Sequence, residues 1–445
     1  MEIKFYNSLT NKVEVFTPLK EGKVSMYVCG PTVYNKPHIG NMRPVVVFDV
    51  LKRFLSYVGY DVTHVSNYTD VDDKIINAAI ETGKTEKELT TYYIGEFEKT
   101  LKAIGSKVPT ITPKVTEYME KIISYIEKLV ELDAAYVVDG DVYFRVSKIK
   151  DYGALSNINI EELKVGARIE ENTVKESPLD FALWKKTSKG ITWDSPWGKG
   201  RPGWHTECCV MIDTIFPDHY IDIHGGGYDL KFPHHENEIA QATAMHNNKI
   251  ARYWMHNGFI NFGKEKMSKS LGNVVLAEDL IKQVGGPVAR MVILSTHYRQ
   301  PVNFTEETLV AATQEVDKIK NAVKQLAFKL QTNDVDLSKG KPNYVEPFLL
   351  ALADDLNTSN ALMEVFNVIK LANTEMRNRE CDYNKLNDYF KSILDMLDVL
   401  GLDISYKVLS EEDKKLVCDY NTAKMNKDFE LSDKIREELI KKNIL

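Results

Sequence analysis

The sequence predicts an α/β protein whose parallel sheet is interrupted by an inserted segment and is followed by an all-α bundle. Three observations support this prediction. Near residue 24, a strand-like apolar run precedes a helical pattern and a second strand-like run, which is the unit of a parallel sheet. From about 113 to 200 the pattern changes to a helix and a hairpin. Beyond about 304 only helical patterns remain.

Residues 1–112 are predicted to form the first half of the sheet domain. Val24–Cys29 is predicted as a buried strand, broken by Gly30 and Pro31. A helix with a broad apolar face follows and ends at Gly59, before a second strand near Tyr60–Asn67.

Residues 113–200 are predicted to be an insertion. Apolar residues from Met119 to Val130 recur at helical spacing, and Tyr136–Val146 alternates like a hairpin. The stretch Trp193–Trp204 is rich in Gly, Pro and Trp, so we expect an irregular loop that returns the chain to the sheet.

Residues 201–258 are predicted to complete the sheet domain, with a strand at Tyr220–His224, a turn at Gly225–Gly227 and a helix at His234–His246. We expect 259–303 to be a linker that carries a polar, lysine-rich loop. Residues 304–445 are predicted to form the helical bundle.

Composition limits the class of protein. The 57 Lys+Arg against 64 Asp+Glu give a formal net charge of −7, which excludes nonspecific coating of nucleic acid and leaves only local basic contacts. Five cysteines without a repeated CxxC spacing favour a reducing compartment. The chain begins without a secretory pattern and has no run of eighteen apolar residues, so a cytoplasmic protein without a membrane span is expected.

Two polar stretches are candidates for binding phosphate. Pro37–Asn41 lies at a strand-to-helix boundary, where His38 and the free N–H groups of the helix can bind an oxyanion and Gly40 permits close approach. His38 can equally be a solvated or capping side chain. Lys266–Ser270 lies in a Gly-flanked loop that suits a mobile clamp on a triphosphate, and the alternative is a solvated basic loop.

A third, scattered set has the chemistry of metal ligands. His234 and Glu238 are four apart, so they share one face of a helix. Cysteines from Cys29 or the pair Cys208 and Cys209 could complete a tetrahedron. Adjacent cysteines point in different directions, so we expect at most one of the pair to be a ligand. Cys29 could instead be a small buried apolar residue.

Together these motifs resemble those of class I aminoacyl-tRNA synthetases and, among them, the chain is similar to the cysteinyl-tRNA synthetase family. The two signatures are His38–Asn41 and Lys266–Ser270. The resemblance extends over nearly the whole chain and includes Met26–Tyr34, Asn67–Lys74, Gly203–Cys208, Asp222–Gly227, Phe232–Glu238, His297–Arg299, Asp354–Thr358 and Ser432–Arg436.

The resemblance implies a Rossmann-type catalytic domain and one Zn²⁺ per chain that binds the thiolate of the substrate cysteine. The implied zinc ligands are Cys29, Cys208, His234 and Glu238. Cys29, Thr69, Trp204 and Asp229 are the implied cysteine-binding residues. A thiolate suits zinc and a serine hydroxyl does not, so a separate editing site is not expected.

The resemblance also implies ligation of L-cysteine to tRNA(Cys) through a cysteinyl-adenylate formed from ATP with Mg²⁺. The implied catalytic residues are His38, Asn41, Lys266 and Lys269. The implied ATP-binding residues are His38, Gly40, Asn41, His224, Gly226, Lys266, Ser268 and Lys269. The first signature ends in Asn41 where many class I enzymes have His, so no proton-transfer role is expected there.

The helical bundle is expected to bind tRNA(Cys), and the family tendency predicts a monomer. Family members usually carry a small tail domain beyond the Ser432–Arg436 helix, and the resemblance does not extend to anticodon reading by that tail. Two alternatives remain: a cysteine ligase with an amino-sugar acceptor, of the mycothiol-pathway type, and a noncatalytic zinc-containing RNA-binding relative. The relatives with an amino-sugar acceptor lack a helical half such as 304–445.

Overall fold

The computed structural model describes residues 1–158, 174–262, 275–442 and 444, together with the backbone of Glu265 and Lys266. The chain forms two compact units. One comprises Glu2–Gln283 and Tyr298–Asn303, and the other comprises Met1, Val284–His297 and Phe304–Leu445. Residues 259–303, expected to be a single linker, contribute to both units.

The unit that begins at Glu2 contains all but one residue of the strands. The strands are β1 (Lys4–Asn7), β2 (Lys12–Val15), β3 (Lys23–Val28), β4 (Asp61–Ser66), β5 (Ala135–Val138), β6 (Asp141–Phe144), β7 (Phe181–Lys186), β8 (Gly200–Pro202), β9 (Ile221–Gly227), β10 (Ala251–Asn257), β11 (Ile260–Phe262), β12 (Glu265–Lys266) and β13 (Val302–Phe304). Its helices are α1 (Ile39–Tyr57), α2 (Asp73–Thr82), α3 (Glu86–Ala103), α4 (Met119–Glu131), α5 (Trp204–Ile215), α6 (Glu236–His246) and α7 (Ala277–Val284).

A four-stranded parallel sheet in the order β10-β9-β3-β4 confirms the predicted fold class. Helix α1 connects β3 to β4 and packs its apolar face, including Val46, Leu51 and Phe54, into the core. Since parallel strands all end at one edge, the residues that follow β3, β4 and β9 come together there.

The three glycines after His224 do not form the predicted turn, because they continue strand β9. Gly225 pairs with Met255 of β10, and Gly226 and Gly227 extend the same ladder. A Cβ atom at Gly225 would lie 2.2 Å from the ring of Phe48 on α1. Glycine is therefore needed at position 225 for close packing of α1 on the sheet. The prediction of a turn at three consecutive glycines does not take this packing into account.

Asp222 ties β9 to the beginning of the chain. Its buried carboxylate accepts hydrogen bonds from the backbone N–H of Leu19, and from both the backbone N–H (2.8 Å) and hydroxyl (2.7 Å) of Ser25 on β3. Each of these donors, on the half-buried residues Leu19 and Ser25, would lose its partner if the carboxylate were lost.

We therefore expect Asp222→Ala to lower the free energy of unfolding by about 2 kcal/mol, because three half-buried donors lose their acceptor. All five tryptophans lie between Trp184 and Trp254, so urea unfolding followed by tryptophan fluorescence reports on this unit. Asp61→Ala, at an exposed carboxylate on β4, is the matched control and should change the midpoint little. Equal stability of the two variants would contradict this role of Asp222.

The segment 113–200 contains helix α4 and most of a second sheet, antiparallel, in the order β5-β6-β7-β8. The predicted hairpin is present as β5 and β6. The Trp193–Trp204 stretch contains strand β8, which pairs with β7, so this part of the predicted loop is regular structure.

The second unit consists of helices apart from the last residue of β13. They are α8 (Gly286–Leu294), α9 (Glu306–Gln331), α10 (Glu346–Ala353), α11 (Thr358–Arg377), α12 (Tyr383–Leu400), α13 (Glu411–Met425) and α14 (Phe429–Lys441). Helix α12 ends at Gly401, which has a left-handed backbone (φ 64°). None of the helices in the described part of the chain combines the length and apolar character that crossing a bilayer requires.

Candidate active site

A cavity of about 490 Å³ opens at the edge of the parallel sheet, and its walls include residues of the first signature. Cys29, after β3, and Trp204, at the beginning of α5, line it together with His38, Gly40 and Asn41. Its volume lies within the range of small-molecule sites, and its place at the carboxyl ends of parallel strands is typical of ligand sites in α/β sheets.

His38 precedes the first residue of α1, where the positive end of the helix dipole favours an anion. The side-chain oxygen of Asn41 accepts a hydrogen bond from the backbone N–H of His38 at 3.0 Å. Asn41 therefore caps the turn that holds the His38 backbone. An amide side chain is sufficient for this capping role, although many class I enzymes have histidine at this position.

The segment that follows the lysine loop is anchored beside His38. The backbone N–H of Ile39 donates to the carbonyl of Val275, and the N–H of Ala277 donates to the carbonyl of Pro37, each at 3.0 Å. The backbone of Lys266 pairs with Asn261. The two ends of the loop are thus fixed, one of them at the first signature.

The side chain of Lys266, and Ser268 and Lys269 as a whole, lie outside the described residues. Their predicted contacts with ATP stay predictions.

Four potential metal ligands converge although they come from three distant parts of the chain. The Cys29 sulfur lies 3.6 Å from the Cys208 sulfur and 3.6 Å from Glu238 Oε1. His234 Nε2 lies 3.7 Å from the Cys208 sulfur and 2.8 Å from Glu238 Oε1. In a tetrahedral zinc site the donor atoms are about 3.3–3.8 Å apart, so three of these four distances fit such a site closely.

Cys209 points away from this cluster. Its sulfur faces the backbone carbonyls of His205 (3.7 Å) and Glu238 (3.6 Å). Cys208 is therefore the member of the adjacent pair that joins the cluster, and the alternative of Cys29 as merely a buried apolar residue is not favoured.

The electrostatics of the cluster suit a cation. The hydrogen bond from Cys29 lowers the pKa of Cys208 to about 6, whereas burial raises the pKa of Cys29 well above its ordinary value. Although burial opposes a charged ring, the Glu238 carboxylate raises the pKa of His234 to about 10. The cluster thus concentrates negative charge that a proton on His234 partly balances, and a divalent ion would replace that proton.

Two histidines, the half-buried His205 and the buried His224, orient the ligands from outside the cluster. His205 Nδ1 lies 3.1 Å from His234 Nδ1, which leaves His234 Nε2 directed at the cluster. Burial lowers the pKa of His205 to about 3, so its ring is neutral. His224 Nε2 lies 2.6 Å from Glu238 Oε2. Partners of this kind fix the orientation of metal ligands.

The position of His224 corrects one prediction. Its side chain is fully buried and stacks on Trp254, with ring centroids 4.4 Å apart, and neither His224 nor Gly226 lines the cavity. Both were expected to border a nucleotide. They belong instead to the strand behind the cavity, where His224 supports Glu238.

A second set of four side chains also has the geometry of a metal site: Cys29, His224, His235 and Glu238. It shares two members with the first set, so one ion cannot use both sets fully. His235 Nδ1 lies 2.8 Å from His256 Nε2, and burial lowers the pKa of His235 well below its usual value. Sequence reasoning missed His235 and His256, because no spacing rule connects them to Cys29.

Apart from Cys29, the residues predicted to bind the amino acid occupy different positions. Trp204 is exposed and stacks on His234, with ring centroids 4.2 Å apart. Asp229 is exposed and lines the cavity. Thr69 is buried behind the wall, where its hydroxyl donates to Glu207 Oε2 at 3.1 Å, so it does not line the cavity.

Comparison with known proteins identifies the family. Residues 15–314 match the family described as tRNA synthetases class I (C) catalytic domain, and residues 347–405 match the DALR domain. The chain is 46% identical over 451 residues to a cysteine–tRNA ligase of Geobacillus thermodenitrificans, covering 100% of this chain and 96% of that protein. The chain belongs to the cysteine–tRNA ligase family.

A cysteine–tRNA ligase of Bacillus cereus gives the same result, at 46% identity over 457 residues, 100% of this chain and 97% of the relative. This family membership confirms the resemblance to class I aminoacyl-tRNA synthetases and makes the chain a tRNA-aminoacylating enzyme of that class.

More distant solved structures support the fold. Mycobacterium tuberculosis methionyl-tRNA synthetase in complex with methionyl-adenylate matches 85% of this chain and 89% of its own, with TM-score 0.59 and 15% identity. A leucyl-tRNA synthetase ternary complex from Agrobacterium radiobacter K84 matches 87% of this chain and 84% of its own, with TM-score 0.62 and 10% identity. At these identities the likeness concerns the fold alone.

Proposed function

We propose that the chain activates L-cysteine with ATP and Mg²⁺, releases pyrophosphate, and transfers the cysteinyl group from the adenylate to the 3′-terminal hydroxyl of tRNA(Cys). One observation carries the proposal. The cavity lined by Cys29, Trp204 and Asp229 is also lined by His38 and Asn41. A thiol-recognising cluster and a phosphate-binding helix end therefore open into the same space.

Cys29, Cys208, His234 and Glu238 would hold one Zn²⁺, because two thiolates, an imidazole and a carboxylate are ligands that zinc accepts. Bound zinc would supply a soft Lewis acid that prefers the thiolate of cysteine to the hydroxyl of serine. Of the four, Cys29 lines the cavity, so the substrate would approach from its side.

Asp229 and Trp204 would orient the amino acid. The exposed Asp229 carboxylate suits the substrate ammonium group, and Trp204 supplies an apolar wall next to His234. A Cβ atom at Gly227 would lie 2.5 Å from Asp229 Oδ1, so glycine there keeps the carboxylate uncrowded. Thr69 would act indirectly, by holding Glu207 behind the pocket.

The chemistry asks the protein mainly for positioning and charge stabilisation. The substrate carboxylate attacks the α-phosphorus, and the bond to the pyrophosphate oxygen breaks. His38 and the backbone N–H groups of α1 would bind the phosphate oxygens as charge develops on them. By resemblance, Lys266, Ser268 and Lys269 would bind the departing pyrophosphate from a loop whose far end is anchored at Ile39.

The helical unit, with its DALR match, would bind tRNA(Cys). Since the chain carries a net charge of −7, we expect these contacts to be local and to weaken with salt.

We further propose that the enzyme acts as a monomer in the cytoplasm. We also propose that the chain divides into five parts at 112, 200, 258 and 303. These bounds separate the catalytic halves, the insertion, the lysine-loop segment and the tRNA-binding bundle.

The test supplies the full chain with ATP, labelled cysteine and total tRNA. Acid-precipitable cysteinyl-tRNA is the expected product, and its absence in the presence of active pyrophosphate exchange would contradict the proposal. The same assay with an amino-sugar acceptor in place of tRNA tests for a cysteine ligase of the mycothiol-pathway type. The helical half, 304–445, does not favour that alternative. A noncatalytic relative would show neither exchange nor acylation.

A further inference from the structure

A second group of potential metal ligands lies outside the cavity. Asp213 is near the end of α5, His246 is the last residue of α6, and His219 lies in the connection from α5 to β9. His219 Nδ1 is 2.8 Å and His246 Nε2 is 2.5 Å from the same oxygen, Asp213 Oδ1. The two rings are nearly parallel, with centroids 4.5 Å apart and an interplanar angle of 4°.

We propose that Asp213, His219 and His246 bind a divalent transition-metal ion of the zinc type. One donor atom from each residue lies within 4.8 Å of the others, a spacing that one ion can bridge. Two imidazole nitrogens that face one carboxylate oxygen form a mixed nitrogen and oxygen donor set. Such a set suits Zn²⁺, Ni²⁺ or Cu²⁺, whereas Mg²⁺ and Ca²⁺ prefer oxygen alone.

The backbone holds His219 in an uncommon conformation that directs its ring to this point. His219 has φ +52°, in the left-handed region that few residues other than glycine adopt. The N–H of His219 donates to the carbonyl of Phe216 at 2.9 Å, and the side chain of Asn248 donates to the carbonyl of His219 at 3.2 Å. The imidazole is therefore presented by an ordered turn.

The group is accessible to an ion from solvent. The side chains of Asp213, His219 and His246 are 27%, 43% and 25% exposed. Three protein ligands leave room for water to complete the coordination, as in other open sites. The group contains no sulfur, which distinguishes it chemically from the Cys29–Cys208 cluster.

The proposed ion would fasten the same two helices that carry the active-site ligands. Asp213 follows Cys208 by five residues on α5, about 7.5 Å along the axis, and His246 follows Glu238 by eight on α6, about 12 Å. An ion at Asp213 and His246 would therefore join the far ends of the helices, and we expect it to stabilise this part of the unit.

The test counts zinc in the full chain by equilibrium dialysis against buffered micromolar Zn²⁺, followed by elemental analysis. We expect His246→Ala and His219→Asn each to hold one ion per chain fewer than the wild type. Asparagine tolerates the left-handed backbone at position 219, so His219→Asn removes the ring without straining the turn. Zinc should also raise the apparent Tm of the wild type more than that of either variant.

Asp218→Asn is the matched control, because this exposed carboxylate lies in the same connection but pairs with Lys20. It should hold as many ions as the wild type. Equal zinc content in the wild type, His219→Asn and His246→Ala would overturn the proposal. The two histidines would then act only as hydrogen-bond partners of Asp213. Because Cys208 and His234 are unchanged in these variants, failure here would not affect the proposed function.

Discussion

Replacing Cys208 with serine is expected to remove zinc from the active-site cluster and to raise the KM for cysteine in ATP–pyrophosphate exchange by about 100-fold or more. Cys208 is buried, and its sulfur lies 3.6 Å from that of Cys29 and 3.7 Å from His234 Nε2. A hydroxyl is a poor ligand for zinc, and the lost ion would be the group that distinguishes cysteine from serine.

Cys209→Ser provides the matched control for this variant. Cys209 is the adjacent residue on the same helix and is equally buried, but its sulfur faces backbone carbonyls. It should keep its zinc and an ordinary KM for cysteine. A Cys208→Ser enzyme with wild-type zinc content and KM would show that the cluster does not recognise the substrate thiol.

His38→Ala is expected to lower kcat for ATP–pyrophosphate exchange by about 100- to 1,000-fold, the loss typical of one donor to a developing oxyanion. The KM for cysteine should change little, because the zinc ligands remain. The turn should stay folded, since the variant keeps the hydrogen bond from the backbone N–H of His38 to the side-chain oxygen of Asn41.

The two variants thus serve as controls for each other. Cys208→Ser acts on the KM for cysteine, and His38→Ala acts on kcat. A His38→Ala enzyme with a normal exchange rate and an unchanged melting temperature would contradict a role for the imidazole at the phosphate.

The fold was predictable where local pattern determines it. Strand β3 and helix α1 follow from apolar periodicity, and Gly401 follows from the chemistry of helix ends. The glycines of β9 led to the wrong prediction of a turn, because consecutive glycines usually mark one. Their purpose depends on Phe48, which lies far away in sequence and packs against Gly225.

The active-site cluster was predictable only in part. The spacing of His234 and Glu238 on one helix face indicated a ligand pair, but nothing local connects them to Cys29, and the full set rested on resemblance. His205 and His224 were beyond sequence reasoning as supporting residues, because their partners are fixed by the packing of separate elements.

The Asp213, His219 and His246 group had no signal at all. Its members come from the ends of two helices and a loop, without a spacing that metal-site patterns recognise.

X-ray absorption at the zinc edge counts the sulfur atoms around the bound ion. The His246→Ala chain is used, so that an ion at Asp213 does not contribute. We expect two sulfur neighbours, from Cys29 and Cys208, and a third when L-cysteine, but not L-serine, is added. A single sulfur neighbour with two imidazoles, unchanged by L-cysteine, would instead place the ion with His224 and His235 and contradict recognition of the substrate thiolate by this cluster.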